Sequence, residues 1–179
     1  MQSKNEIIQA KAKKIKLIVS DVDGVMTRGD LFFDKNGVEP FGQFNIYDGF
    51  AIIIAHECGL KTAIISGRHS LCTEERCRAL GVEEIHTGVL HKKIKLQEIV
   101  ERLNLDMEEV VYIGDDLIDL PAIKLAGLSF APCTAVDEVK DRVDYITNKS
   151  CGDGVLREVI ELVLNAQDKY QDYVNQFLE

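Results

Sequence analysis

KLIVSDVDGVMT, residues 16–27, is the stretch that decides the fold. The apolar run LIV leads directly into Asp21 and Asp23, two acids separated by a single residue. Short apolar runs that end in turn residues are typical of buried strands in a parallel sheet covered on both faces. Since open α/β sheets bind their ligands beyond the carboxyl ends of the strands, we expect both acids to lie at a functional edge.

The two acids also predict a metal site. A buried carboxylate pair is costly, because like charges repel in a low dielectric and each loses its hydration. A divalent cation compensates both costs, and with oxygen ligands and no His or Cys nearby, Mg²⁺ is the expected ion. The alternative is that Asp21, Asp23 and Gly24 form a solvated turn after the strand, since Asp and Gly are ordinary turn residues. The motif alone leaves both interpretations open.

Length and composition indicate one soluble globular domain, residues 1–179. The 179 residues are 46% hydrophobic and 28% charged, which is typical of a chain with a sizeable core. The formal net charge of -9 argues against nucleic acid as a partner, because binding a polyanion depends on Lys and Arg neutralising phosphates.

The five cysteines include no CxxC pair, so neither a disulfide framework nor a zinc site is expected. The N-terminal stretch is too polar for a signal peptide, and no apolar run approaches the ~20 residues that span a bilayer. We therefore expect a reduced, cytoplasmic protein with no membrane partner.

Apolar strand patterns alternate with helical patterns along most of the chain. Helices are predicted at residues 4–13, 49–59, 69–81, 91–104, 119–127, 136–140 and 154–164, and strands at 61–66, 84–88, 108–114, 128–131 and 143–147. Repeated βα units imply an α/β fold, a three-layer, Rossmann-like parallel sheet with right-handed crossovers. Residues 31–47 interrupt this alternation of strand and helix patterns. Their Asn36-Gly37 turn signal between apolar runs predicts a β-hairpin flap inserted directly after the first strand.

Polar residues also follow three later strands. Ser66 ends one strand, Lys92 follows the next, and Asp115, Asp116 and Asp119 follow a third. The tips of parallel strands share one edge, so these side chains are expected to converge on one crevice. Each has an alternative explanation alone: a helix N-cap for Ser66, a solvated face for Lys92, and a favourable helix dipole for the acids.

In this order, the motifs resemble those of the haloacid dehalogenase superfamily of phosphotransferases. The DxDG pattern falls on Asp21 and Asp23, the strand-end hydroxyl on Ser66, the lysine on Lys92, and GDDxxD on Gly114, Asp115, Asp116 and Asp119. The short form, with a hairpin flap instead of a cap domain, is similar to the octulosonate 8-phosphate phosphatase family. The stretches that carry this similarity are DVDGVMT at 21–27, FNIYDG at 44–49, ISGR at 65–68, ERC at 75–77 and GDDLIDLP at 114–121. The resemblance implies a Mg²⁺-dependent phosphomonoesterase of lipopolysaccharide biosynthesis that acts on a phosphorylated sugar acid.

The resemblance also implies a role for each motif residue. Asp21 would be the nucleophile that forms an aspartyl phosphate, and Asp23 the general acid and base. Mg²⁺ would be held by Asp21, by the main-chain carbonyl of Asp23 and by Asp115. Ser66 and Lys92 would stabilise the transferring phosphoryl group. Asp119, and similarly Asp116, would orient Lys92 or a metal-bound water.

The resemblance to the family is less complete at the residues that are expected to contact the substrate. They are Asp23, Asn45, Asp48, Gly49, Arg68, Arg76 and Lys92, with the two arginines meeting the sugar-acid carboxylate. The chain departs from the family pattern at Tyr47, where a basic residue is common, at Ile53, which is often Arg, and in the loop 151–154. The departures leave open a nine-carbon, sialic-acid-type phosphate or another small phosphate ester as substrate.

Two interpretations that assign the chain to a different class of protein remain open. Response-regulator receivers also carry acids, a hydroxyl and a Lys at strand tips, but they are shorter and their phosphoacceptor lies in the middle of the chain. A non-catalytic regulatory relative is the other reading. The apolar residues of the flap indicate an interface. The resemblance implies a homotetramer in which the flaps pack together and the tail at residues 168–179 helps close a neighbour's site. The alternative is that the flap folds onto its own domain and the tail is disordered.

Overall fold

The centre of the fold is a sheet of six parallel strands. The computed structural model describes residues 3–178. The strands are β1 (Leu17–Ser20), β2 (Lys61–Ile65), β3 (Glu84–His86), β4 (Val110–Ile113), β5 (Leu128–Ala131) and β6 (Tyr145–Ile146). Their order across the sheet is β3-β2-β1-β4-β5-β6, which confirms the predicted α/β architecture.

β1 lies at the middle of this order, paired with β2 on one side and β4 on the other. Leu17 is in register with Lys61 of β2 and with Val110 of β4, and all four residues of β1 are buried. The chain runs outward from β1 to β3 and then returns to β4, so a crevice opens beyond the ends of β1 and β4. Receivers have the order 2-1-3-4-5, so the sheet excludes that reading.

Eight helices cover the two faces of the sheet in the described part of the chain. They are α1 (Lys4–Ala12), α2 (Ile46–Glu57), α3 (Leu71–Ala79), α4 (Lys92–Arg102), α5 (Leu120–Ile123), α6 (Asp137–Lys140), α7 (Val155–Ala166) and α8 (Tyr170–Asn175). Successive strand residues point to opposite faces. Ile18 therefore joins the core under α1, α2 and α7, whereas Leu17 and Val19 join the core under α4, α5 and α6.

The start of α2 differs from the sequence prediction by three residues. The predicted helix begins at residue 49, but the Asn45 side chain accepts the Tyr47 N–H at 2.8 Å and starts the helix at Ile46. This N-cap brings Asn45 and Tyr47 beside the crevice, because the loop before α2 comes from the flap.

The flap is a hairpin-shaped loop rather than a pair of strands. Its turn is closed around Asp34, which donates its N–H to the Val38 carbonyl at 2.8 Å and accepts the Asn36 and Val38 N–H groups on its side chain. Phe32 stacks on Phe41 with ring centroids 5.1 Å apart. No strand is assigned in residues 31–45, all of which are described. A two-stranded hairpin with no third partner is marginal in water, so the predicted pairing does not extend beyond the turn.

The C-terminal tail folds back on its own domain. α8 packs on α7, Tyr173 is buried, and Arg157 of α7 donates a hydrogen bond to the Tyr170 hydroxyl at 2.7 Å. Phe177 and Leu178 beyond it are exposed, and Glu179 lies outside the described residues.

Within residues 3–178, no helix has both the length and the apolar character that crossing a bilayer requires. The five cysteines are free thiols.

Candidate active site

Asp21 follows β1 directly and lies beside the end of β4. Its N–H donates to the Ile113 carbonyl at 2.9 Å, which fixes the backbone at the carboxyl edge of the sheet. The side chain is buried, its Oδ1 accepts the Val22 N–H at 2.7 Å, and its Oδ2 lies 2.7 Å from Lys92 Nζ. Both carboxylate oxygens are thus held in a defined direction.

Lys92 is the first residue of α4 and is fully buried, so the solvated-face alternative is wrong. Its ammonium lies 2.7 Å from Asp21 Oδ2 and 2.7 Å from Asp119 Oδ1. Burial opposes the charged form, but the negative charges of Asp21 and Asp119 outweigh it and raise the pKa of Lys92. Lys92 is therefore a fixed cation next to Asp21.

Asp119 holds Lys92 and the turn after β4 together. Its Oδ1 also accepts the Tyr112 hydroxyl at 2.7 Å, and its Oδ2 accepts the N–H groups of Asp115 and Asp116 at 3.2 and 3.4 Å. Burial first, and then the charge of Asp119, raise the pKa of Tyr112 far above its usual value, so the phenol stays a donor. With both oxygens engaged, Asp119 is placed to orient Lys92.

The exposed Asp116 has a local role. Its side chain accepts the Leu117 N–H at 2.6 Å and starts the short 3₁₀ turn Leu117–Asp119. Asp116 therefore shapes the turn that carries Asp119.

An acidic cluster marks the place for a cation. Asp21, Asp115 and Asp119 each offer a carboxylate oxygen, and these oxygens all lie within 4.8 Å of one another. Burial, followed by the charge of Asp119, raises the pKa of Asp21 to about 8 and that of Asp115 to about 7. Lys92 alone does not balance three acids, so hard oxygen donors with excess negative charge fit Mg²⁺.

The absence of a side chain at Gly24 leaves space for the Asp115 carboxylate. A Cβ at Gly24 would lie 2.0 Å from Asp115 Oδ2, and the backbone there has φ of +83°, which favours glycine. The glycine of the DxDG motif is thus required by the acid that follows β4.

Ser66 closes β2 at the same edge. Its Oγ accepts the Arg68 N–H at 3.2 Å and donates to the Arg68 carbonyl at 3.1 Å. The N-cap alternative does not apply, because Ser70 accepts the Thr73 N–H at 3.3 Å and caps α3. Ser66 instead fixes the turn that presents Arg68.

A cavity of about 240 Å³ opens beside this centre. Its lining includes Asp23, Thr27, Arg28, Asp30, Phe32, Glu39, Gln43, Asn45, Tyr47, Arg68, Ser70, Gly152 and Asp153. Asp23 connects the cavity to the buried centre, since it follows Asp21 by two residues. The polar lining of this cavity suits a small polar ligand that lies next to Asp21.

Arg68 lies at the core of this cavity as an ion-paired side chain. It donates from Nε to Asp23 Oδ2 at 3.0 Å and from Nη2 to Asp23 Oδ1 at 2.9 Å, while Nη1 donates to Glu39 Oε2 at 3.0 Å. The hydrogen bonds that Arg68 donates, chiefly to Asp23 and also to Glu39, raise the pKa of Arg68 despite its partial burial.

Four of the predicted substrate residues lie outside the cavity lining: the buried Lys92 described above, Asp48, Gly49 and Arg76. Asp48 is only 1% exposed and accepts the Arg157 N–H at 3.0 Å, which caps the start of α7. Gly49 is buried against Arg76, where a Cβ would meet the guanidinium at 2.2 Å. The start of α2 turns Asp48 toward α7 and Gly49 toward Arg76 of α3, and the role of Asp48, Gly49 and Arg76 in substrate binding stays a prediction. Asn45 does line the cavity and donates to the Gly152 carbonyl at 3.2 Å.

Sequence reasoning missed Glu39 and Tyr112. A tyrosine inside the otherwise aliphatic strand VVYI was a signal, because a buried hydroxyl requires a partner. Glu39 carried no signal, since an acid in a loop is ordinarily solvated.

Together, the sheet order and the Asp21–Lys92–Asp119 centre define a hydrolase of the haloacid dehalogenase type. The sequence signature described as haloacid dehalogenase-like hydrolase matches residues 79–159. The chain is 39% identical to 3-deoxy-D-manno-octulosonate 8-phosphate phosphatase KdsC of Escherichia coli (strain B / BL21-DE3) over 165 residues, 92% of this chain and 87% of that protein. The Haemophilus influenzae phosphatase of the same name is 36% identical over 162 residues, 90% of this chain and 89% of its own.

A solved structure shows the same fold. The 3-deoxy-D-manno-octulosonate 8-phosphate phosphatase from Moraxella catarrhalis, in complex with magnesium ion, phosphate ion and KDO, matches with a TM-score of 0.93 and 35% identity. The match covers 97% of this chain and 98% of that one. The chain therefore belongs to the 3-deoxy-D-manno-octulosonate 8-phosphate phosphatase family, whose members are phosphoric monoester hydrolases. Mg²⁺ is the cofactor of this site.

Proposed function

We propose that this chain hydrolyses 3-deoxy-D-manno-octulosonate 8-phosphate to the free sugar acid and inorganic phosphate. The observation that carries the proposal is the buried Asp21 carboxylate, 2.7 Å from Lys92 and next to a polar cavity that contains Arg68. Such a carboxylate is positioned for attack on phosphorus, and the cavity has room for the sugar.

In the proposed mechanism, Asp21 is the nucleophile. Its carboxylate oxygen forms a bond to phosphorus while the bond from phosphorus to the sugar oxygen breaks, and Asp23 gives its proton to that oxygen. Asp23 then takes a proton from the water that hydrolyses the aspartyl phosphate. Lys92 and Ser66 stabilise the charge on the phosphoryl oxygens. Asp21, the main-chain carbonyl of Asp23 and Asp115 would hold Mg²⁺, which would supply charge compensation between the anionic nucleophile and the anionic substrate.

Arg68 must move for this chemistry. In the structure, both oxygens of Asp23 accept hydrogen bonds from Arg68, so the ion pair with Arg68 sets the direction of the Asp23 side chain. We assign Arg68 to the substrate carboxylate, toward which it turns when the sugar acid binds. This movement releases Asp23 for proton transfer.

A nine-carbon sugar acid 9-phosphate is the second candidate substrate. Tyr47 favours it, because this exposed phenol lines the cavity at a position where the family commonly has a basic residue. Phosphate release from purified protein, with and without Mg²⁺, should be measured on both sugar acid phosphates. We expect kcat/KM to be highest for the eight-carbon substrate, and no Mg²⁺-dependent release from any phosphate ester would refute the proposal and favour a non-catalytic relative.

We further propose a cytoplasmic homotetramer that acts in lipopolysaccharide biosynthesis, as one domain with a flap at 31–47 and a tail at 168–179. Phe33, Phe41 and Ile46 are 60%, 54% and 74% exposed, which is unfavourable for a flap in water and favourable for an interface. Because α8 already packs on its own domain, only the end of the tail is free to reach a neighbour's site.

Light scattering at micromolar concentration should give the mass of four chains, and the mass of one chain would contradict this assembly. Deletion after Gln167 should leave the tetramer intact but change KM or kcat. If KM and kcat are unchanged, the flap closes the site without a contribution from the tail.

A further inference from the structure

Glu39 is an acidic flap residue that is hydrogen-bonded to the rest of the domain. Residues 31–43 are all exposed except Glu39, whose side chain is 15% exposed. Its Oε2 accepts hydrogen bonds from Arg68 Nη1 at 3.0 Å and from Ser70 Oγ at 2.7 Å. The carboxylate of Glu39 therefore accepts hydrogen bonds from the Arg68 guanidinium and the Ser70 hydroxyl, the two donors that a carboxylate ligand would use.

The charge of the cavity makes this contact significant. Four acids line the cavity, Asp23, Asp30, Glu39 and Asp153, against two bases, Arg28 and Arg68. A substrate with a carboxylate and a phosphate enters such a cavity against repulsion unless a guanidinium becomes available. Arg68 already donates hydrogen bonds to the carboxylates of Asp23 and Glu39. A substrate carboxylate that binds Arg68 must therefore compete with Glu39.

We infer that Glu39 is a specificity-determining residue that holds Arg68 until a substrate carboxylate displaces it and releases the flap. This inference rests on the proposed function, because it needs a substrate that carries a carboxylate. Glu39 lowers the apparent affinity for the sugar acid by the fraction of molecules in which it is bound to Arg68. A phosphate ester without a carboxylate has nothing to place on Arg68 and Ser70, so it does not compete with Glu39.

The test compares Glu39→Gln with the parent on two substrates, 3-deoxy-D-manno-octulosonate 8-phosphate and p-nitrophenyl phosphate. Glutamine keeps the size and an acceptor oxygen but removes the charge. We expect the ratio of the KM for the sugar acid phosphate to the KM for p-nitrophenyl phosphate to fall by about 1.4-fold to fivefold, the range for an exposed ion pair. The change should fall on KM rather than kcat, because Glu39 does not contact the reacting atoms.

Glu108→Gln is the matched control, since this glutamate pairs with Lys14 at the surface, away from the cavity, and its side chain is 76% exposed. It should leave the KM ratio unchanged. A ratio that is unchanged or raised in Glu39→Gln, with both substrates hydrolysed by the parent, overturns the inference and leaves the proposed function in place. If the parent hydrolyses p-nitrophenyl phosphate but no sugar acid phosphate, the proposed function and the inference both fail.

Discussion

Replacing Lys92 with methionine tests the balance of charge at the centre of the site. Methionine keeps an unbranched apolar stem of similar length, so packing around α4 should change little. The variant removes the one ammonium that lies 2.7 Å from both Asp21 and Asp119. Breaking a buried ion pair by removing one partner costs about 3 to 5 kcal/mol, because a buried charge is left uncompensated.

This loss is large beside the stability of an ordinary domain, which is about 5 to 15 kcal/mol. For a chain of this size it corresponds to a fall in Tm of roughly 6 to 20 °C. Turnover should also fall, by roughly 10² to 10³, as when one donor to a transition-state oxygen is removed.

Thermal unfolding without added metal gives the stability, and phosphate release with saturating Mg²⁺ gives kcat. The double variant Lys92→Met, Asp119→Asn is the internal control, since removing one carboxylate should restore part of the stability but none of the turnover. A single variant within about 1 kcal/mol of the parent and with at least a tenth of its turnover would refute the reasoning. Lys92 would then be a packing residue.

Three further changes test other parts of the site. Asp21→Asn should abolish phosphate release and leave the fold intact, because it removes a buried like charge; substantial turnover would rule out Asp21 as nucleophile. Asp115→Ala should weaken Mg²⁺ binding by about tenfold or more in calorimetry, and an unchanged affinity would place the ion elsewhere. Asp48 has its pKa raised to about 6, chiefly by burial, so its stabilising contribution is complete below pH 4 and is lost as the pH rises through about 6. Asp48→Asn should reduce the loss of unfolding free energy between pH 4 and 7, measured in urea, by up to about 3 kcal/mol, and parallel pH profiles would contradict this assignment.

Most strands and helices could be predicted because their signals are local. The apolar run before Asp21, the glycines after helices and the regular βα spacing each act over a few residues. The flap could not be predicted as well, because strand pairing depends on a partner that buries one face. Residues 31–45 have the composition of a hairpin, but within this chain they keep only the turn around Asp34.

The sequence by itself determined the parallel sheet and the convergence of Asp21, Ser66, Lys92 and Asp115 on one edge, since parallel strands end together. Which polar residues line the cavity, in contrast, depends on the tertiary structure. Asp48 is turned into a helix cap, whereas Glu39 reaches Arg68 across the cavity. The physical reason is that the partner of a side chain depends on the direction of its Cα–Cβ bond and on which distant segments lie near it. The spacing of neighbouring residues in the sequence determines neither of these.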